Sequence, residues 1–164
     1  MNYIIAAAIA FFVPYMNKVD IKTYSKLIVK EAREQNIDPL WTVAFIHEET
    51  GGSWNTFLVS KTWDHGLMQV HVSKHSHPEL LGIEHVLFAP EVNIRIGTRL
   101  AGMWKRYHEK HCRKDTTVNS KHPWWAHMKY GYKIKNADYA STNQIGKFYN
   151  QLRSKFVSSH EGEV

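Results

Sequence analysis

The sequence predicts one mainly helical domain with a short irregular or β-like region after its second helix. Apolar residues recur at helical spacing in separate segments, and helix-start and helix-stop signals bracket those segments. No internal repeat and no Gly/Ser- or Pro-rich linker divides the chain. With 164 residues, 43% of them hydrophobic, one domain has the material for a core.

The elements follow in order. Tyr3 to Met16 is apolar and uncharged, but shorter than the ~20 residues a spanning helix needs. Only Asn2 lies between Met1 and this run, and Pro14-Tyr15-Met16 close it, so residues 1–17 lack the basic start and small-residue cleavage site of a secretory signal. They are read either as an export or weak membrane-anchoring segment or as a helix packed on the domain. The domain proper is assigned to 18–157 and a flexible tail to 158–164. Tyr24, Leu27, Ile28 and Ala32 mark one face of a helix that ends near Asn36. Asp38-Pro39 supplies an N-cap and a first helical residue, opening a second helix that runs through LWTVAFIHEET to Gly51-Gly52. That helix is apolar nearly all round, as a buried one is. Ser53 to Val72 carries no sustained period and reads as a loop or short irregular strands. Pro90-Glu91 opens a long helix whose apolar positions are Val92, Ile96, Leu100, Met103, Trp104 and Tyr107. Ile145, Phe148, Tyr149, Leu152 and Phe156 mark the last, from Thr142 to about Val157. Cys112 to Tyr139 is a less regular aromatic and basic stretch.

Charge narrows the classes of partner. Lys and Arg number 21 against 15 Asp and Glu, a net +6, so the surface attracts anions. The basic residues are scattered, without a run of five, and a nucleic-acid arm is therefore not expected. Cys112 is the single cysteine, which excludes an internal disulfide. Five histidines between His65 and His85 have neither a nearby Cys nor an HExxH spacing, so they are not read as metal ligands, and neither a metal nor a cofactor is expected for the chain.

The residues most suggestive of chemistry are Glu48-Glu49, carboxylates at the end of an apolar helix. Burial and the negative helix end both raise a carboxyl pKa, and a Glu that keeps its proton near neutral pH is a general acid for glycosidic cleavage. Helical spacing gives both residues apolar neighbours and does not choose between them; surface glutamates paired with a Lys or His remain the alternative.

Glu49-Thr50, Ser60 and Gly66-Leu67-Met68-Gln69-Val70, in that order, resemble the Glu-Ser … Ser … Gly-Leu-Met-Gln-Ile pattern of soluble-type lytic transglycosylases in the lysozyme-like superfamily. Ile37-Asp38-Pro39 and Pro90-Glu91-Val92-Asn93-Ile94-Arg95-Ile96-Gly97 extend the resemblance, which covers roughly Ile21 to Leu152. It implies an α+β lysozyme-like fold and makes Glu49 the catalytic acid, with Ser60 hydrogen-bonded to it. Met68, Gln69, Tyr130 and Tyr139 are then substrate-binding, Gln69 through N-acetyl groups or by positioning its loop. The chain departs from the family where Ala126-His127-Met128-Lys129-Tyr130-Gly131 replaces Ala-Tyr-Asn-x-Gly, and in a slightly longer loop from Gly51 to Val59.

Asp64-His65-Gly66 is also similar to the Asp-Tyr-Gly of animal-type lysozymes, in which the Asp is a second carboxylate. Asp64 is thus a second catalytic group or a turn-forming residue ahead of Gly66. Trp54, Trp63, Trp124 and Trp125 are candidates for stacking on sugar rings, with core packing as the alternative. The resemblance implies a monomer that breaks the MurNAc-β-1,4-GlcNAc bond of peptidoglycan in the bacterial envelope or periplasm, as a phage lysis or virion protein or in an envelope-spanning assembly. A hydrolytic muramidase using Glu49 and Asp64, or a silent glycan-binding module, are the alternatives.

Overall fold

Two helix starts, at Asn17 and Asp38, carry side-chain caps of the kind their sequence supplies. The computed structural model describes residues 1–112, 123–130 and 140–157. Among them are α1 (Asn2–Phe12), α2 (Lys18–Glu34), α3 (Pro39–Glu49), α4 (Pro90–His111), α5 (Ala126–Tyr130) and α6 (Ala140–Phe156). A small hairpin of β1 (Asp64–His65) and β2 (Val70–His71) and two 3-10 turns lie between α3 and α4. The protein is mainly helical, as its periodicity predicts.

Helix α3 is the axis of the core. Asp38 Oδ1 accepts the Leu40 N–H at 2.9 Å, Pro39 takes the first turn, and every residue from Pro39 to Ile46 is buried. Full burial of side chains the size of Trp41, Phe45 and Ile46 favours folding by roughly 1.5–3 kcal/mol each. The helix ends where the Thr50 hydroxyl donates to the Ile46 carbonyl at 2.8 Å and Gly51 and Gly52 take φ of +56° and +79°.

Around α3 pack α1, α2 and α6. Ile5, Ala8 and Ile9 of α1 join the same core as α3, and the Phe12 ring stacks on His47 at 4.1 Å. The apolar N-terminal run is therefore a helix packed on the domain in this structure, continuous with the core of residues 18–157. Among the described residues, no helix is long and apolar enough to cross a membrane. At the other end of the packing, the Tyr149 hydroxyl of α6 donates to Asp38 Oδ2 at 2.8 Å. Burial and this contact with a carboxylate push the Tyr149 pKa up to about 12.

Helix α4 has the predicted period but buries a different face. Its buried stripe is Asn93, Ile94, Gly97, Thr98, Ala101, Gly102 and Trp104, whereas Met103 is exposed. Close approach is the reason. A Cβ on Gly97 would lie 2.6 Å from Met68 Cβ, and one on Gly102 would lie 2.6 Å from Gln35 Oε1. Small residues let the backbone of α4 come against its neighbours, which displaces Val92 and Ile96 toward a second cluster of Val70, Val72, Leu80 and Leu87. Arg95 of α4 reaches the buried Glu31 of α2 at 3.4 Å.

Asp38 therefore holds two elements, one carboxylate oxygen to each. Asp38→Ala is expected to lower unfolding free energy by about 1–3 kcal/mol and Tyr149→Phe by about 1 kcal/mol, with the double variant losing less than the sum. Denaturant titration of the four proteins checks this; strict additivity would show that the two groups act independently.

Candidate active site

The loop after α3 is fixed by one buried amide. Asn93 is fully buried; its Nδ2 donates to the carbonyls of His65 at 2.8 Å and Leu87 at 3.0 Å, and its Oδ1 accepts the Met68 N–H at 2.7 Å. Those bonds clamp the hairpin turn onto α4. Gly66, with φ +71°, fits beneath the amide because a Cβ there would lie 2.5 Å from the Leu87 carbonyl oxygen and closer still to Asn93 Nδ2. Gln69, at φ +45°, donates from Nε2 to the Gly66 carbonyl at 2.7 Å and closes the turn on itself.

Between this turn, the end of α3 and α5 lies a groove of about 450 Å³. Phe45 and Glu49 of α3, Thr62, Asp64, Met68, Gln69 and His71 of the hairpin region, Leu100 of α4, and Met128 and Lys129 of α5 line it. Glu49 faces the groove and Glu48 is not part of its lining. Desolvation pushes the Glu49 carboxyl up to about 7; Lys129 pulls it down, and the charges of Glu48 and Asp64 push it up. Burial also raises Glu48, against the pull of Lys129.

Asp64 is moved the other way. Partial burial by itself would raise its pKa, but hydrogen bonds from Thr62 at 2.6 Å, Ser60 at 2.8 Å and His71 Nδ1 at 2.8 Å outweigh that and bring it below the usual Asp value. One groove thus holds a carboxyl that stays protonated toward neutral pH and a carboxylate that stays ionised. Pairs of this kind are how a site separates an acid from an anion.

The sequence-derived candidates are distributed unevenly around this pair. Glu49, Asp64, Met68 and Gln69 meet in the groove. The Ser60 hydroxyl, which the resemblance gives to Glu49, is bonded to Asp64 instead, because Ser60 and Asp64 share the tight turn that also bonds the Asp64 N–H to Ser60 Oγ at 3.0 Å. Tyr130 closes α5, and Tyr139 lies outside the described residues. Trp54 is buried in the core and packs against Tyr24, Trp124 is partly buried against that core with its ring 4.6 Å from Trp41, and Trp63 is exposed next to Asp64.

Sequence reasoning misses several groove residues, among them the titratable Lys129 and His71. Lys129 sits in an irregular stretch with no pattern, and His71 belongs to a run of histidines that is unremarkable in sequence. The register Asp64 opposite His71 in the hairpin brings the latter to the carboxylate. Among the described residues, the histidines from His65 to His85 form no group able to hold a metal; one such group lies elsewhere, at His108, Cys112 and His127.

No protein-family model, characterised protein or solved structure matches this chain.

Two consequences are measurable. Asn93→Ala strands a buried N–H and two carbonyls at about 1–3 kcal/mol each, so the variant is expected to lose at least ~2 kcal/mol of stability. Native-state hydrogen exchange should then show faster exchange at the Met68 amide; unchanged protection there would contradict the clamp. Glu49 is expected to destabilise the fold above its unfolded pKa. The folded carboxyl holds its proton to about pH 7, while the unfolded one releases it near pH 4.5. Folding therefore loses stability as pH rises between those values and stays reduced above them. Glu49→Gln should exceed wild type by on the order of 1–3 kcal/mol at about pH 8 and match it near pH 4, as read from denaturant midpoints. A variant no more stable than wild type at the higher pH would refute the shift.

Proposed function

We propose that the protein is a lysozyme-like lytic transglycosylase that cleaves the MurNAc-β-1,4-GlcNAc bond of peptidoglycan, with Glu49 as its single acid/base. The observation that carries the reading is the Glu49 carboxyl, desolvated at the groove wall and still protonated toward pH 7. Such a group can donate its proton to the glycosidic oxygen as the C1–O bond breaks and positive charge grows on the muramyl ring. GlcNAc leaves with a free 4-hydroxyl. The resulting Glu49 carboxylate, next to Lys129, takes the proton of the muramyl C6 hydroxyl. The C6 oxygen then closes on C1 to give a 1,6-anhydro end, with no water consumed. An internal nucleophile has a high effective concentration, so one carboxyl suffices.

In this scheme Asp64 stabilises charge from the groove wall without forming a bond. Its Oδ2 accepts from Ser60 and Thr62 and its Oδ1 from His71, and oxygens engaged in this way are poor nucleophiles. A hydrolytic muramidase is the second reading, favoured by the presence of Asp64 in the same groove. The net charge of +6 suits a polyanionic wall held by salt-sensitive attraction. The substrate places the activity in the bacterial envelope, reached by export, by a lysis pore or within a virion. In this reading the protein acts as a monomer, and no cofactor takes part in breaking or forming the glycosidic bonds.

Mass analysis of glycan ends released from purified peptidoglycan tests the proposal. Ends one water lighter than hydrolysis products are expected, and Glu49→Gln should slow their release by roughly 10²–10⁴-fold. Wild-type activity should fall as pH rises through about 7, where the acid form of Glu49 disappears. Reducing ends would favour the muramidase, and no release by wild type would overturn both readings.

A further inference from the structure

A second cluster of chemically active side chains lies at the far end of α4. His108 is in its last turn, Cys112 follows one helical turn later on the same face, and His127 is the second residue of α5. Cys112 and His127 are buried and His108 is half-buried. One ligand atom from each falls in a group within 4.8 Å of one another. The individual separations are informative: His108 Nδ1 to His127 Nε2 is 3.4 Å, and Cys112 Sγ to His127 Nε2 is 3.7 Å. Around a tetrahedral zinc ion with the usual bond lengths, two nitrogens stand about 3.3 Å apart and a sulfur and a nitrogen about 3.6 Å apart. Two of the three separations thus match edges of a zinc coordination tetrahedron.

Their surroundings suit a metal. The His127 ring stacks on Trp104 at 5.5 Å and meets the edge of Tyr107 at 5.3 Å, which fixes its orientation and limits water around it. An apolar, ordered shell of this kind holds ligands ready and strengthens binding. Thiolate with two imidazoles is a donor set for zinc or cobalt and a poor one for magnesium or calcium.

We propose that His108 Nδ1, Cys112 Sγ and His127 Nε2 bind one zinc ion. On binding, the Cys112 thiol gives its proton to solvent and both imidazoles coordinate through neutral nitrogens. The ion clips α5 to α4. A helix of five residues is unstable alone, and α5 carries Met128 and Lys129 into the groove. The clip thus holds one wall of the groove in place. Metal binding itself stands whatever the groove does chemically.

The test uses the full chain, reduced and freed of metal with a chelator, and titrated with cobalt(II). Cys112 is the single cysteine, so any sulfur-to-cobalt charge-transfer band reports this site. The expected result is one cobalt per monomer with that band and tetrahedral visible absorption, displaced by zinc, which also raises the thermal midpoint. His108→Gln and His127→Gln should each weaken binding by roughly tenfold or more, while His75→Gln, on the exposed loop, leaves it unchanged. His108 is half-buried, so its variant decides the matter if the His127 variant does not fold. Absence of the band in wild type, a stoichiometry of one cobalt to two chains, or wild-type affinity in His108→Gln would overturn the proposal.

Discussion

A carboxyl group at the last residue of a helix that is buried on every side cannot recover its full hydration. Glu49 is in that position. Apolar residues all round α3 draw α1, α2 and α6 against it, and that packing removes water from the C-terminal end of α3. The negative end of the helix adds to the cost of ionisation. Core packing and site chemistry are thus one arrangement: the same residues that stabilise the domain raise the pKa of its acid. Glu48, one residue earlier and turned away from the groove lining, shares the raising influence without the position.

The second wall is built by different means. Asn93 uses a buried amide in place of a hydrophobic contact, since the turn at Gly66 brings two backbone carbonyls and an N–H together with no strand to pair them. Once the turn is clamped, the hairpin register delivers Asp64 with its partners Ser60, Thr62 and His71 already in place. Three donors keep Asp64 ionised while desolvation keeps Glu49 protonated. The pair is differentiated by environment alone, and each member's charge feeds back on the other.

Much of this is readable from sequence where one residue determines local geometry. Asp38-Pro39 and Gly51-Gly52 bracket α3 as their capping and positive-φ preferences require, and Gly66 marks the clamped turn. What is not readable depends on neighbours distant in sequence. Helical period gives α4 its existence, but the buried face follows from how closely Met68 and Gln35 approach, which favours Gly97 and Gly102 over Met103. Ser60 has two carboxylates within plausible reach on paper; only the turn decides for Asp64. His71 acquires meaning from strand register, and Lys129 and the cluster of His108, Cys112 and His127 from the docking of α5 on α4. The apolar N-terminal run is compatible with export or packing until its side chains are seen among those of α3.

The most direct test of this account is to follow the Glu49 side-chain carboxyl through its own titration, by carbon NMR of the full protein with Glu49 assigned by comparison with Glu49→Gln. The account predicts a midpoint near 7, with Asp64 titrating well below it in the same spectra. A Glu49 midpoint at the ordinary glutamate value would mean that the end of α3 is hydrated and that the groove holds two carboxylates and no acid.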